Sequence, residues 1–257
     1  MSERPPHLAP LTDEILRLAL RGLTLPGSPR ALDLCCGNGA TCLLLAEELG
    51  AICTGVDLSE ELLRVGRERA LAAGLQDRIE LRREDARHVP LQNASFDLVL
   101  ALGGALTYVG RPEGLERIRQ LLKPGGCVLI SDLVTLDSPV PQEIAGALEE
   151  KAPENEIAPL RLEPAVRAVF EEGMYRYENE ETYRELLQSL GYRVEFAFPV
   201  PESAWHGYYR FAARSLREPL AATEGSRIPV GADELAAFYS WGGRWGYAYL
   251  ILGARVA

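Results

Sequence analysis

The sequence lacks the features of several large protein classes. No run of Lys and Arg exceeds two residues, and 27 basic against 37 acidic residues give a net charge of −10. Proteins that bind nucleic-acid phosphates need a basic surface, so we expect no nucleic-acid partner. No apolar run approaches the roughly 20 residues of a membrane span, and no basic start leads into an apolar segment. We therefore expect no membrane association and a cytoplasmic protein.

The sequence also has no cysteine spacing typical of a metal or redox site. Its five cysteines are odd in number and contain no CxxC pair, although Cys35, Cys36 and Cys42 lie close together. Small thiols of this kind are common buried residues in a reducing compartment. We expect neither a disulfide framework nor a bound metal.

What is present is a chain of 257 residues with 47% hydrophobic composition, enough for a substantial core. Strand-like apolar segments alternate with amphipathic segments between residues 30 and 134, which predicts a doubly wound α/β fold with a parallel sheet. The predicted helices are 12–21, 40–49, 60–73, 112–122 and 180–190. The predicted strands after the first, near residues 31–34, are 51–56, 78–82, 96–102, 127–134, 193–200 and 246–256.

A glycine turn follows the first strand and indicates a nucleoside site. The run Asp33-Leu-Cys-Cys-Gly-Asn-Gly39 opens a helix, and Asp57 ends the next strand twenty residues after Gly37. Glycines allow a ligand close to the backbone, and the acid is placed to accept hydrogen bonds from a ribose diol. A nicotinamide or flavin dinucleotide is one candidate, but Cys42 stands where its G-x-G-x-x-G fingerprint has a third glycine.

The turn resembles the first motif of class I S-adenosylmethionine-dependent methyltransferases, D/E-x-G/C-x-G-x-G. Four further matches follow in order: Asp57, Asp85-Ala86, Phe96-Asp97 and Lys123-Pro-Gly-Gly126. Residues 30–134 carry the resemblance, which is nearest to the ubiquinone-biosynthesis-like branch that acts on small molecules. It implies a seven-stranded, mostly parallel sheet and S-adenosylmethionine as cofactor.

The resemblance also implies roles for individual residues. Asp33 would face the methionyl ammonium, Asp57 the ribose hydroxyls, and Asp85 with the Ala86 amide would recognise adenine, against which Leu58 would pack. Asp33 and Asp85 have an alternative explanation as residues that only stabilise their turns. The full expected cofactor site is Asp33, Cys35, Gly37, Asn38, Gly39, Asp57, Leu58, Asp85, Ala86, Ala101 and Leu102.

The second half differs in composition, because 17 of the 19 aromatic residues lie between Phe170 and Tyr249. We predict one domain over residues 1–257, with a core (30–134, 180–200 and 246–256) and insertions (137–178 and 201–244) that form a cap. The cap is expected to line the acceptor pocket, although single aromatics could equally be core residues. The predicted substrate-binding residues are Trp205, Tyr208, Tyr209, Trp241 and Trp245.

The methylated compound is harder to predict, because methyl transfer from a sulfonium needs no protein nucleophile. His206 is the best candidate for a general base, with Tyr108 a weaker one and a structural histidine as the alternative; His7 and His88 are expected to face solvent. Abundant Tyr and Trp beside eleven Glu between Glu143 and Glu181 favour an amine or cationic acceptor. A non-catalytic S-adenosylmethionine-binding protein and an NAD-dependent oxidoreductase are the competing functions, and the sequence leaves open whether the chain forms a homodimer.

Overall fold

A seven-stranded sheet organises the computed structural model, which describes residues 7–135, 179–217 and 247–257. The strand order is β3-β2-β1-β4-β5-β7-β6, with β7 antiparallel to both of its neighbours and the first five strands parallel. The strands are β1 (Arg30–Leu34), β2 (Ile52–Asp57), β3 (Ile79–Arg83), β4 (Phe96–Ala101), β5 (Leu122–Thr135), β6 (Tyr192–Pro199) and β7 (Tyr247–Val256). The predicted doubly wound, mostly parallel sheet is confirmed.

Helices cover the sheet, and two of them begin at residues whose side chains accept a free backbone N–H of the first turn. Thr12 and Ser59 accept the N–H of Ile15 and Leu62, each at 3.3 Å. The helices are α1 (Asp13–Arg21), α2 (Ala40–Leu49), α3 (Glu60–Ala72), α4 (Ala105–Val109), α5 (Arg111–Leu121), α6 (Glu180–Ser189) and α7 (Glu202–Arg217). Helix α4 was not among the predicted helices.

Two hydrophobic clusters hold these layers together, one on each face of the sheet. Because successive strand residues point to opposite faces, Leu98 and Leu100 enter one cluster while Val99 enters the other. The first cluster also receives residues of α1, α2 and α7, and the second receives residues of α5 and α6. The strand order reverses between β1 and β4, so the crevice at their carboxyl ends is where open α/β sheets bind ligands.

The N-terminal segment His7–Leu11 is part of this packing. His7 is only 4% exposed; its Nε2 lies 2.8 Å from the Asp13 carboxylate and its Nδ1 3.4 Å from the Thr41 hydroxyl. The expectation that His7 faces solvent was wrong, because these two polar partners replace its hydration. His88 is exposed, as predicted.

The predicted cap cannot be compared with the structure over most of its length. Residues 137–178 and 218–244 lie outside the described residues, and within 201–217 the chain forms helix α7. Among the described residues, no helix combines the length and apolarity needed to cross a membrane. The same parts of the chain contain no cluster of three or more His, Cys, Asp or Glu side chains that could hold a metal ion.

Candidate cofactor site

The glycine turn continues the β1–β2 pairing and then reverses the chain into α2. Cys36 N–H donates to the Val56 carbonyl at 2.9 Å, and Gly39 N–H donates to the Cys36 carbonyl at 3.0 Å. Three residues of the turn have positive φ: Cys35 at 57°, Gly37 at 54° and Gly39 at 69°. Glycine adopts positive φ without strain. At Cys35 the same backbone conformation is strained, because its β-carbon crowds the neighbouring backbone.

Helix α3 packs very closely against this turn. A β-carbon on Gly66 of α3 would lie 2.9 Å from the Asn38 carbonyl oxygen and 2.5 Å from Leu81 Cδ1. Only glycine fits there, so Gly66 allows the helix to support the backbone of the turn. Cys42, at the position of the missing third glycine, is fully buried instead and places its thiol 3.7 Å from Asp33 Oδ2.

Asp33 is an acid buried at the carboxyl end of β1. It is 3% exposed, and in the described part of the chain the Cys42 thiol is its one hydrogen-bond partner. Burial raises the pKa of Asp33 to about 7. Removing a carboxylate from water without a strong donor is unfavourable, so this side chain is suited to a cationic ligand group.

Asp57 connects the end of β2 to the turn. Its Oδ2 accepts the Gly37 N–H at 2.8 Å, and its Oδ1 accepts the Ser59 N–H at 2.8 Å. Each oxygen keeps one further acceptor position, because an ionised carboxylate has about four in total. The side chain is therefore held in place while it can still accept two hydrogen bonds from a ligand.

Beside Asp57 an open cleft of about 200 Å³ has formed, and several expected cofactor residues meet there. Leu58 lines the cleft with 51% of its surface exposed, so it offers an apolar surface to a ligand. The cleft is lined by Cys35, Asp57, Leu58, Glu84, Ala86 and Tyr108. The sequence patterns did not single out Glu84, although it directly precedes Asp85.

Asp85 lies next to this cleft but is not one of its lining residues. Its carboxylate forms a two-pronged ion pair with Arg87, with Nη2 to Oδ2 at 2.6 Å and Nε to Oδ1 at 3.0 Å. The Tyr108 hydroxyl donates to the same carboxylate at 3.2 Å, and the Arg87 guanidinium lies 4.9 Å from the Tyr108 ring centre. The hydrogen bonds from Arg87 hold the pKa of Asp85 well below its usual range.

Tyr108, one of the two candidate bases, also lines this cleft and is 41% exposed. Desolvation raises the pKa of its phenol, which leaves it protonated at neutral pH. Ala101 is buried at the end of β4, and Leu102 follows it half-buried.

Helix α7 directs three predicted substrate-binding residues into the core. Trp205, Tyr208 and Tyr209 are 5%, 6% and 1% exposed, at the i, i+3, i+4 spacing of one helix face. Trp205 packs edge-on against Tyr249 with ring centres 4.8 Å apart. Tyr208 donates its hydroxyl to the Leu8 carbonyl at 3.2 Å.

These contacts agree with the alternative explanation that single aromatic residues of this half fill the core. They also fix the N-terminal segment beside the glycine turn. Leu8 Cδ1 would lie 2.9 Å from a β-carbon on Gly37, so the segment covers the glycine turn. His206 is half-buried on the same helix. Trp241 and Trp245 lie outside the described residues.

Comparison with known proteins identifies the part of the chain that builds this site. Residues 31–126 match a family of methyltransferase domains. The chain is 37% identical over 130 residues to a demethylmenaquinone methyltransferase of Clavibacter sepedonicus, which covers 50% of this chain and 51% of the relative. It is 29% identical over 121 residues to the ubiquinone/menaquinone biosynthesis C-methyltransferase UbiE of Geotalea daltonii. That alignment covers 46% of this chain and 52% of the relative.

The chain spans about half the length of the curated relatives it matches. Similarity to solved structures extends further and concerns the fold. YjhP of E. coli superposes with a TM-score of 0.71 at 20% identity, over 98% of this chain and 95% of that chain. A geranyl diphosphate methyltransferase in complex with SAM gives 0.65 at 16% identity, over 96% and 86%. The predicted resemblance to class I methyltransferases of the ubiquinone-biosynthesis type is confirmed.

Proposed function

We propose that this chain, which carries a methyltransferase domain over residues 31–126, binds S-adenosylmethionine and transfers its methyl group to a small-molecule acceptor. The observation that carries the proposal is the buried Asp33 carboxylate, 3% exposed and paired only with a thiol in the described residues. A dinucleotide would bring a pyrophosphate to this turn, and the Asp33 carboxylate would repel that negative group. The methionyl ammonium would instead supply the missing cation.

The other residues of the site fit the same ligand. Asp57 retains two acceptor positions, one on each oxygen, which match the two hydroxyls of a ribose. Leu58 is exposed at the mouth of the cleft and offers an apolar surface to the adenine ring. The positive φ values at Gly37 and Gly39 let the turn present its backbone closely to a ligand.

When bound, S-adenosylmethionine supplies an electrophilic methyl group on a sulfonium that is its own leaving group. The contribution of this chain is to hold the donor in one orientation and to exclude water. The buried segment around Leu8, which Tyr208 of α7 anchors, would shield the turn from solvent. His206 remains the proposed base for acceptors that must lose a proton.

The proposal also concerns the chemical class of the methyl acceptor. We retain the amine or cationic class from the aromatic and glutamate-rich composition of the second half. Trp205, Tyr208 and Tyr209 support it less than expected, since they pack in the core. The proposed substrate-binding role therefore rests on Trp241 and Trp245.

The cofactor is tested by calorimetry with S-adenosylhomocysteine and with NADH as the matched rival. We expect micromolar binding of the first and none of the second; the reverse would overturn the proposal. Methyl transfer is then assayed with radiolabelled donor on a panel of amines, phenols, quinols, thiols and carboxylates. Turnover confined to quinols or carboxylates would overturn the amine class, and cofactor binding without any turnover would favour the non-catalytic function.

A further inference from the structure

The Asp33 carboxylate receives its hydrogen bond from a thiol on the helix that follows the glycine turn. Cys42 is the third residue of α2, and its Sγ donates to Asp33 Oδ2 at 3.7 Å. Both side chains are closed off from solvent, with Cys42 0% and Asp33 3% exposed. Because α2 begins directly after the turn, its first turn brings this donor to the carboxyl end of β1.

The surroundings of Cys42 keep its thiol protonated. A hydrogen bond with Cys53 and burial raise the pKa of the Cys42 thiol well above its usual value. Cys53 is itself 1% exposed on β2, and its Sγ donates to the Cys42 carbonyl at 3.5 Å. The thiol of Cys42 therefore acts as a hydrogen-bond donor toward the carboxylate.

The other titratable groups around Asp33 do not favour its ionised form. Burial raises the pKa of Asp33 and the charge of Asp57 adds to this, whereas the hydrogen bond from Cys42 lowers it. The thiols of Cys35 and Cys36 also lie close enough to be affected by the Asp33 charge. Among the described groups that influence Asp33 none is a cation, so Cys42 is the one that stabilises the carboxylate.

The residue type at position 42 decides whether Asp33 has this donor. Glycine, which the dinucleotide fingerprint has at this position, would leave the acid without it. A buried carboxylate that lacks a donor is unfavourable, and it takes up a proton instead. An ammonium group binds the ionised form more strongly than the neutral acid, because only the ionised form attracts its charge.

Resting on the proposed S-adenosylmethionine site, we propose that Cys42 is a positioning residue, whose thiol orients the Asp33 carboxylate and keeps it ionised for the methionyl ammonium. The effect of Cys42 passes through Asp33. It should therefore appear only with ligands that carry the ammonium. It should also grow as the pH falls, because Asp33 without the thiol takes up a proton at a higher pH.

The test compares S-adenosylhomocysteine with 5′-methylthioadenosine, which keeps the adenosine and the thioether but has no ammonium. We expect Cys42→Ala to weaken the first ligand by about 5- to 10-fold near pH 6 and by about 3-fold or less near pH 8. The second ligand should change by less than about 2-fold at either pH. Cys42→Ser keeps a donor and should lie closer to wild type than Cys42→Ala. Calorimetry on proteins with native melting curves measures these affinities.

Two controls separate the hydrogen bond from the packing of a buried side chain. In the Asp33→Asn protein the carboxylate is gone, so adding Cys42→Ala should change the affinity for S-adenosylhomocysteine by less than about 2-fold. Cys127→Ala removes another fully buried thiol, on β5, which is two strands away from β1 in the sheet. This variant should bind both ligands like wild type.

The remaining outcomes would each overturn the inference. Equal weakening of both ligands by Cys42→Ala, or the same loss in the Asp33→Asn background, would mean that Cys42 only packs α2 against the turn. An unchanged affinity for S-adenosylhomocysteine at both pH values would refute the role of Cys42 and leave the proposed donor. Wild-type protein that does not bind S-adenosylhomocysteine would refute both. If Cys42→Ala does not fold, Cys42→Val replaces it, because valine fills the space and donates no hydrogen bond.

Discussion

The Asp57 carboxylate and the Gly37 amide, twenty residues apart in the chain, are joined by a 2.8 Å hydrogen bond at the carboxyl edge of the sheet. The same carboxylate accepts the Ser59 N–H at 2.8 Å. One side chain therefore fixes the glycine turn, starts the entry into α3 and presents acceptors to the cleft. Any change at Asp57 alters both the shape of the site and its ligand contacts.

We predict that Asp57→Ala loses at least about 100-fold in affinity for S-adenosylhomocysteine. Two hydrogen bonds to a charged acceptor disappear, each contributing about 1.5–3 kcal/mol, and the turn loses its support. Calorimetry measures the loss. Asp77→Ala, an exposed aspartate in the loop between α3 and β3, is the matched control and should bind like wild type. Near-native binding by Asp57→Ala would exclude the ribose contact.

Asp33 should make the stability of the ligand-free protein depend on pH. Burial raises its pKa to about 7, whereas an unfolded aspartate titrates near pH 3.9. Between these values the folded state binds more protons than the unfolded state, so the free energy of unfolding decreases as pH rises. We expect Asp33→Asn to reduce this decrease between pH 5 and pH 8 by a few kcal/mol, measured by urea unfolding.

Burial also raises the pKa of Asp132, but that contribution is common to wild type and Asp33→Asn and cancels in the comparison. The variant should at the same time lose S-adenosylhomocysteine affinity, since the ammonium loses its charged partner. Parallel stability curves for the two proteins would show that Asp33 titrates normally.

Cys35→Gly should stabilise the protein by up to about 1 kcal/mol. Cys35 has a φ of 57°, where a β-carbon is strained by about 1–2 kcal/mol and glycine is not. Cys36→Gly is the matched comparison, because Cys36 has no positive φ and its buried side chain packs beside Gly55. Thermal denaturation should therefore show a higher midpoint for Cys35→Gly and a lower one for Cys36→Gly. Equal losses in both variants would argue against strain at Cys35.

Gly103→Ala should release the N-terminal segment from the site. A β-carbon at Gly103 would lie 2.7 Å from Ala9 Cβ, whereas at Gly104 it would meet nothing within 4 Å. Both glycines have positive φ, 63° and 83°, so Gly104→Ala carries comparable backbone strain without the clash. Limited proteolysis should cleave near Ala9 faster in Gly103→Ala than in Gly104→Ala, and Ala9→Gly should partly reverse the effect.

The sequence predicted the sheet well, and several of the expected cofactor residues line one cleft, because both features depend on local patterns. A buried strand reads as an apolar run, and the turn from Asp33 to Gly39 needs particular residues at particular φ values. The boundaries of most elements agree to within one or two residues. Strand β5 differs more: it begins at Leu122 rather than 127, because Leu122 pairs with Phe96 and the strand continues through residues 123–126 with an irregular register.

Contacts between distant segments were not predictable in this way. The burial of His7 depends on Asp13 and Thr41, and the burial of Tyr208 depends on the N-terminal segment. An aromatic residue that binds a substrate and one that fills a core have the same composition signal. Similarly, no pattern indicates that Arg87 occupies the carboxylate of Asp85, because that pairing depends on the conformation of one loop.

The hydrogen bond from the Tyr208 hydroxyl to the Leu8 carbonyl joins residues 200 positions apart. Contacts of such high sequence separation form late in folding, because a long loop must close before they form. During synthesis the strands that frame the glycine turn emerge well before α7 does. The N-terminal segment therefore gains this anchor only after α7 has been made, and a chain interrupted before residue 208 would lack both the anchor and β7, the strand that joins β6 to the rest of the sheet.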